Sequence, residues 1–245
     1  MSLSKLLAIA GFGLILGGCQ SLLPQQEPLQ PKRVAWEHRL PGCAGESCPL
    51  VNIDTLKFAN NPQLDELVEK RLLSMTQNSP DAPQPTSLQS FEKDFLQNAE
   101  PGWKTYLQAK LIDQHDDVAV IEFSSYIDTG GNHGMPGRGF INYDRDTGKV
   151  LTLNDILLPS RSGAFWAQVE QAHKRWLAKN QLDKDPSFVK DWPFRETQNI
   201  ALTRDQLLLK YDVLTLGPYS NGHPSLTIPY AQLKGILKPE FLPES

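Results

Sequence analysis

Apolar residues change their spacing several times along the chain. Leu50, Val51, Ile53, Leu56 and Phe58 crowd into a short run after Pro49, the pattern of a strand. Asn61 followed by Pro62 is a helix start, because proline at the first helical position gives up an N–H that has no intrahelical partner. Leu64, Leu67, Val68, Leu72 and Met75 then fall at i, i+3, i+4, i+8 and i+11, one apolar face of a helix. Three prolines within 78–86 interrupt the chain as a loop, and Leu88, Phe91, Phe95 and Leu96 mark a second amphipathic helix.

From Trp103 the period becomes two. Thr105, Leu107, Ala109 and Leu111 alternate with polar neighbours. After a turn at Asp116-Asp117, Ala119, Ile121, Phe123, Ser125 and Ile127 share a face. Residues 130–137 form a glycine-rich loop, Phe140 to Tyr143 a third strand, Asp144 to Lys149 a turn, and Val150 to Leu153 a returning strand. A third long helix is expected over 162–180, with Phe165, Val169, Ala172, Trp176 and Leu177 inward. A hairpin about Arg204-Asp205, a last strand over 225–229 and a helical turn over 230–235 follow. Strands grouped together with helices between the groups predict an α+β fold: a single domain over residues 34–245, with three main helices packed on an antiparallel β-sheet of at least five strands.

The N-terminus carries a different signal. Lys5 precedes an apolar stretch, Leu6 to Leu16, which is shorter than the roughly 20 residues a bilayer-spanning helix needs. Leu16-Gly17-Gly18-Cys19 matches the bacterial lipobox, in which a diacylglyceryl group is attached to the cysteine and the peptide is cut just before it. Residues 1–18 therefore read as a lipoprotein signal peptide and Cys19 as the lipidation site; more than one acyl chain on Cys19 holds a protein stably to a membrane. Gln20, where an Asp favours inner-membrane retention, places the mature protein on the outer membrane of a Gram-negative cell, facing the periplasm. Residues 19–33 are Pro/Gln-rich and read as a tether.

That location decides the reading of the other two cysteines. Cys43 and Cys48 could be half of a zinc site, but no second cysteine pair or paired histidine follows. Outside the cytoplasm they read as a short-loop disulfide.

Composition narrows the function. With 24 Lys+Arg against 28 Asp+Glu, the net charge is −4, which argues against a dedicated nucleic-acid binder. The sequence has no H-E-x-x-H, nucleophile elbow, P-loop or dinucleotide fingerprint among its 245 residues, and it points to no cofactor, no metal site and no catalytic set. Two loops between strands nevertheless concentrate polar chemistry. One carries Asp128, Thr129, Asn132, His133 and Arg138 around paired glycines; the other carries Tyr219, Asn221 and His223.

The order T-G-G-x-H-G (Thr129 to Gly134), N-Y-D (Asn142 to Asp144), G-K-x-L-x-L-x-D (Gly148 to Asp155), P-Y-S-x-G (Pro218 to Gly222) and I-P-Y-x-x-L (Ile228 to Leu233) resembles an extracytoplasmic domain. That domain closes the RsiV-type lysozyme-sensing anti-sigma factors and accompanies some peptidoglycan deacetylases as a non-catalytic module. The resemblance spans roughly residues 48–238. It implies an exposed α+β module that binds a lysozyme-like, cell-wall-directed protein or peptidoglycan. A strongly basic lysozyme suits the charge of −4 in sign. The cytoplasmic segment of an anti-sigma factor and the catalytic domain of a deacetylase are not read in this sequence, so the expectation is the module alone on a lipid anchor. The alternative is an envelope hydrolase using His133 as base or metal ligand, with Asp128 orienting it.

Overall fold

The computed structural model describes residues 27–77 and 84–243. The signal peptide, Cys19, Gln20, most of the tether and the centre of the proline-rich loop lie outside the described residues. The chain folds as β1 (Lys32–Arg39), β2 (Leu50–Lys57), α1 (Pro62–Ser74), α2 (Leu88–Asn98), β3 (Lys104–His115), β4 (Val118–Asp128), β5 (Met135–Asp144) and β6 (Lys149–Leu151). There follow α3 (Leu153–Ile156), α4 (Ser162–Lys179), α5 (Pro186–Asp191), β7 (Ile200–Leu202), β8 (Gln206–Lys210) and β9 (Ser225–Pro229). This is an α+β single domain. Among the described residues no helix is long and apolar enough to cross a membrane.

The strands make two sheets, β1-β2-β3-β4-β5-β6 and β7-β8-β9. The larger is mixed, which corrects the expected all-antiparallel sheet: β2 pairs with β3 in parallel, Leu50 opposite Lys104. The reason lies in the connection. Both α1 and α2 intervene between β2 and β3, and a crossover of that length returns the chain to the end from which it started.

Alternation along β4 splits the interior into two cores. Ala119, Ile121 and Phe123 face one way and pack with Leu64, Val68 and Leu72 of α1 and Phe91 of α2. Val118 and Val120 face the other way, into a core that also holds Phe165 and Val169 of α4 and Leu207, Leu209 and Ile228 of the small sheet. The layers run α1 and α2, large sheet, small sheet, α4.

Polar side chains fasten the two sheets. Asn142 of β5, buried, donates from Nδ2 to the Ile200 carbonyl at 3.0 Å and accepts the Leu202 N–H at 2.7 Å, so one carboxamide closes the free edge of β7. Asn199 donates to the Arg138 carbonyl at 3.0 Å. Lys210 of β8 pairs with Glu122 of β4 at 2.7 Å.

Three local differences from the expected elements have physical causes. The first strand begins at Lys32, inside the expected tether, and Leu29 is already tied by its N–H to Gln114. Its sequence, KRVAWEHR, is that of an edge strand with no fully buried residue: only Val34 and Trp36 are half-buried, and backbone pairing with β2 runs along its whole length. The glycine-rich loop is shorter than expected, because Met135 to Gly139 continue the pairing of β5 with β4. Leu153 starts a short helix rather than ending a strand: the Asp155 carboxylate accepts the Thr152 N–H at 2.7 Å and caps the turn. Cys43 and Cys48 are joined by a disulfide at the entry to β2.

Candidate functional site

The two polar loops meet. The first, 129–134, leaves β4 through an Asx turn in which Asp128 accepts the Gly130 N–H at 3.1 Å. Gly130 and Gly131 take φ of +89° and +104°, a region where a Cβ is strained. Their turn carries His133 to a position where its ring stacks on Tyr219, centroids 3.8 Å apart. The Tyr219 hydroxyl donates to the Gly134 carbonyl at 2.9 Å, and the Gly134 N–H donates to the Tyr126 hydroxyl at 3.2 Å. Gly134 has no room for a side chain, since a Cβ there would lie 2.5 Å from Cζ of Tyr126. Segments 85 residues apart thus form one surface. Thr129, Gly130, Asn132 and His133 are exposed on it.

Other expected site residues are occupied in different ways. Arg138 donates its backbone N–H to Asp212 at 3.3 Å and turns its guanidinium to the Gly137 carbonyl at 2.8 Å. Asn221 packs against Gly217, where a Cβ would meet its carboxamide at 3.1 Å. His223 is turned inward: its side chain is 13% exposed, Nδ1 lies 3.1 Å from the Tyr211 carbonyl, and Nε2 is buried without a partner. Burial above all holds His223 below the ordinary imidazole pKa, against a smaller opposing effect of the bond to Tyr211. The neutral ring with its proton on Nδ1 fits that environment.

The dyad that a hydrolase would need is not assembled. Asp128 is engaged by its own turn, while Nδ1 of His133 lies 3.2 Å from the Gly134 carbonyl. No hydrogen bond or ion pair joins the two side chains, and no group of three or more His, Cys, Asp or Glu residues with metal-binding spacing stands among the described residues. The arrangement presents an aromatic pair, exposed amide and hydroxyl groups and backbone polar groups of a tight turn.

Several of the sequence motifs resolve into scaffold. Tyr143 accepts a hydrogen bond from Asn61, the cap of α1, at 2.8 Å. Asp144 accepts the N–H groups of Asp146 and Thr147 and so closes the β5–β6 turn. Tyr230 donates to the Thr203 carbonyl at 2.7 Å. What sequence reasoning missed is Arg71 in the last turn of α1, which, with Thr129 and Arg138, lines a cavity of about 430 Å³ beside the loops. Its only signal was a cation among the apolar positions of a helix.

The DUF3298 model, a protein family of unknown function, matches residues 154–231. Among curated proteins none matches the chain. Among solved structures, a DUF3298 family protein from Pseudomonas aeruginosa PAO1 is 56% identical, with a TM-score of 0.85 over 89% of this chain and 99% of its own. A second, from Bacteroides fragilis NCTC 9343, is 17% identical, with a TM-score of 0.64 over 87% of this chain and 94% of its own, a likeness of fold alone.

Proposed function

The chain belongs to the DUF3298 family, and from that premise we propose that it is a lipid-anchored cell-envelope protein whose folded module binds, without catalysis, a cell-wall-directed protein of the lysozyme kind or peptidoglycan itself. The observation that carries this reading is the convergence of the two loops, with His133 stacked on Tyr219 and Tyr219 bonded to Gly134. Two segments distant in sequence make one rigid polar and aromatic surface, the composition that binding hot spots favour. The resemblance of the loop motifs to the RsiV-type domain supplies the kind of partner. The lipobox ending at Cys19 supplies the anchor, on the outer membrane if the cell is Gram-negative.

Retention on immobilised lysozyme, beside co-sedimentation with purified peptidoglycan sacculi, tests the reading and separates its two branches. His133→Ala removes one stacked ring and should weaken whichever partner binds by about 1–2 kcal/mol, a factor of roughly 5–30, while the circular dichroism spectrum stays unchanged. Wild-type protein that is retained by neither matrix would refute the proposal. For the anchor, Cys19→Ala should move the chain out of the detergent phase; unaltered partitioning without lipid label would refute it.

A further inference from the structure

Arg71 is a half-buried cation with no anion at ion-pair distance among the described residues. It lies in the last turn of α1 and lays its guanidinium on β5 at Gly139, where a Cβ would stand 2.3 Å from Nη2. Among the described residues Nε is buried with no hydrogen-bond partner, and the one hydrogen bond of the group is a long one, 3.5 Å from Nη1 to the Ser74 hydroxyl. No carboxylate stands within ion-pair distance of it among the described residues; Asp212 acts on it only through space, and burial is the larger influence on its protonation. A guanidinium with free donors in a half-buried setting is costly unless something completes its hydrogen bonds. The carbonyl end of α1 offsets part of that cost, but it leaves the planar fork unfilled.

The surroundings state what would fill it. The cavity of about 430 Å³ lies under the C-terminal turn of α1, with Arg71 on one wall. Ser125 and Thr129 add hydroxyls, and Met75, Ile127 and Val213 make an apolar wall. Gly137 lets β5 lie close against Ser125, whose hydroxyl would be 2.6 Å from a Cβ there. A planar carboxylate matches the fork of an arginine bidentately, and the apolar wall suits a small side chain next to it. Arg138 and the exposed Asp212 carboxylate, which also line the cavity, offset one another, leaving the single charge of Arg71, which a singly charged anion neutralises.

We propose that this cavity is a recognition pocket for the free C-terminal carboxylate of a peptide with a small apolar last residue, with Arg71 as the carboxylate ligand and Thr129 linking the pocket to the joined loops. It rests on the cell-wall reading only in making wall peptides the source of such ends.

The test titrates acetyl-D-alanyl-D-alanine, its C-terminal amide and inorganic phosphate into the full lipidated chain in detergent micelles, labelled with ¹⁵N at arginine. The free acid should shift the Arg71 Nε–H resonance and saturate. The amide should show no shift at tenfold higher concentration, and phosphate should bind more weakly. Arg71→Lys keeps the charge but loses the fork, and should weaken the acid at least tenfold. The acid-against-amide comparison needs no variant and holds even if Arg71→Lys unfolds. Equal binding of acid and amide, tighter binding of phosphate, or a folded Arg71→Lys chain that binds the acid unchanged overturns the pocket. Binding of the acid without retention on sacculi keeps the pocket and overturns the peptidoglycan branch; retention on sacculi unaltered by Arg71→Lys keeps that branch and overturns the pocket.

Discussion

Asn142 holds the small sheet to the large one, and replacing it measures how much that junction is worth. Asn142→Ala removes a donor 3.0 Å from the Ile200 carbonyl and an acceptor 2.7 Å from the Leu202 N–H. Asn142, Ile200 and Leu202 are at most 3% exposed, so water does not replace the lost partner. Each backbone group left unsatisfied costs about 1–3 kcal/mol, which puts the two together at roughly 2–6 kcal/mol, with a small further cost for the cavity. Urea unfolding followed by tryptophan fluorescence reads this directly. With a slope of roughly 2–3 kcal/mol per molar for a domain of this size, the midpoint should fall by about 1–3 M. Asn142→Asp sharpens the test. Ionised, the new carboxylate keeps the Leu202 bond but sets a buried charge against the Ile200 carbonyl; protonated, it restores both bonds. Its folded pKa should therefore stand above the usual value of about 3.9. A group with a raised folded pKa gives its full stabilisation below the unfolded value and loses it as pH rises through the folded one. The deficit against wild type should thus be largest at neutral pH and shrink toward pH ~4. A loss below about 1 kcal/mol for Asn142→Ala, or a pH-independent deficit for Asn142→Asp, would show that the carboxamide does not join the sheets.

Three further outcomes follow from particular residues. Gly134→Ala should destabilise by about 1–3 kcal/mol and weaken partner binding, because its Cβ would drive Tyr126 away and break the hydrogen bond at 3.2 Å. Gly131→Val, with open space around it but φ of +104°, should cost only the backbone strain, about 1–2 kcal/mol; a melting curve for Gly134→Ala that overlays the wild type contradicts the packing argument. Burial, ahead of opposing charges, holds His173 and His223 below their ordinary pKa of 6.5. Groups with depressed folded pKa stabilise fully above the unfolded value and lose that contribution as pH falls from 6.5 toward the folded values. The unfolding free energy from urea curves should therefore drop between about pH 7 and 5, by at most about 1.4 kcal/mol per pH unit for each histidine, and His173→Leu should flatten the slope; a level wild-type profile contradicts it.

The elements that sequence determined are those whose local signals agree with their packing. Helix α1 was legible because Asn61 accepts the Leu64 N–H at 3.0 Å, Pro62 sits at its first turn, and its apolar face is buried. Strand β4 was legible on the face bearing Ala119, Ile121 and Phe123, but Val118 and Val120 on the other face gave no sign of a second core. Strand β1 was invisible, because its apolar period is only two half-buried residues, Val34 and Trp36, and main-chain bonds to β2 run along the whole strand. The parallel β2–β3 pairing was equally hidden, since alternation sets which face a residue takes and says nothing of strand direction.

At the site, sequence alone pointed to the two loops, through glycines at positive φ and the polar residues beside them. It did not say that Tyr219 meets His133, that His223 turns inward, or that Arg71 lies on Gly139. Turn chemistry is written in neighbouring residues, so it can be read along the chain. The contacts between segments 60–85 residues apart depend on how two sheets stack, and that is fixed only when side chains such as Asn142 find their partners in the folded protein.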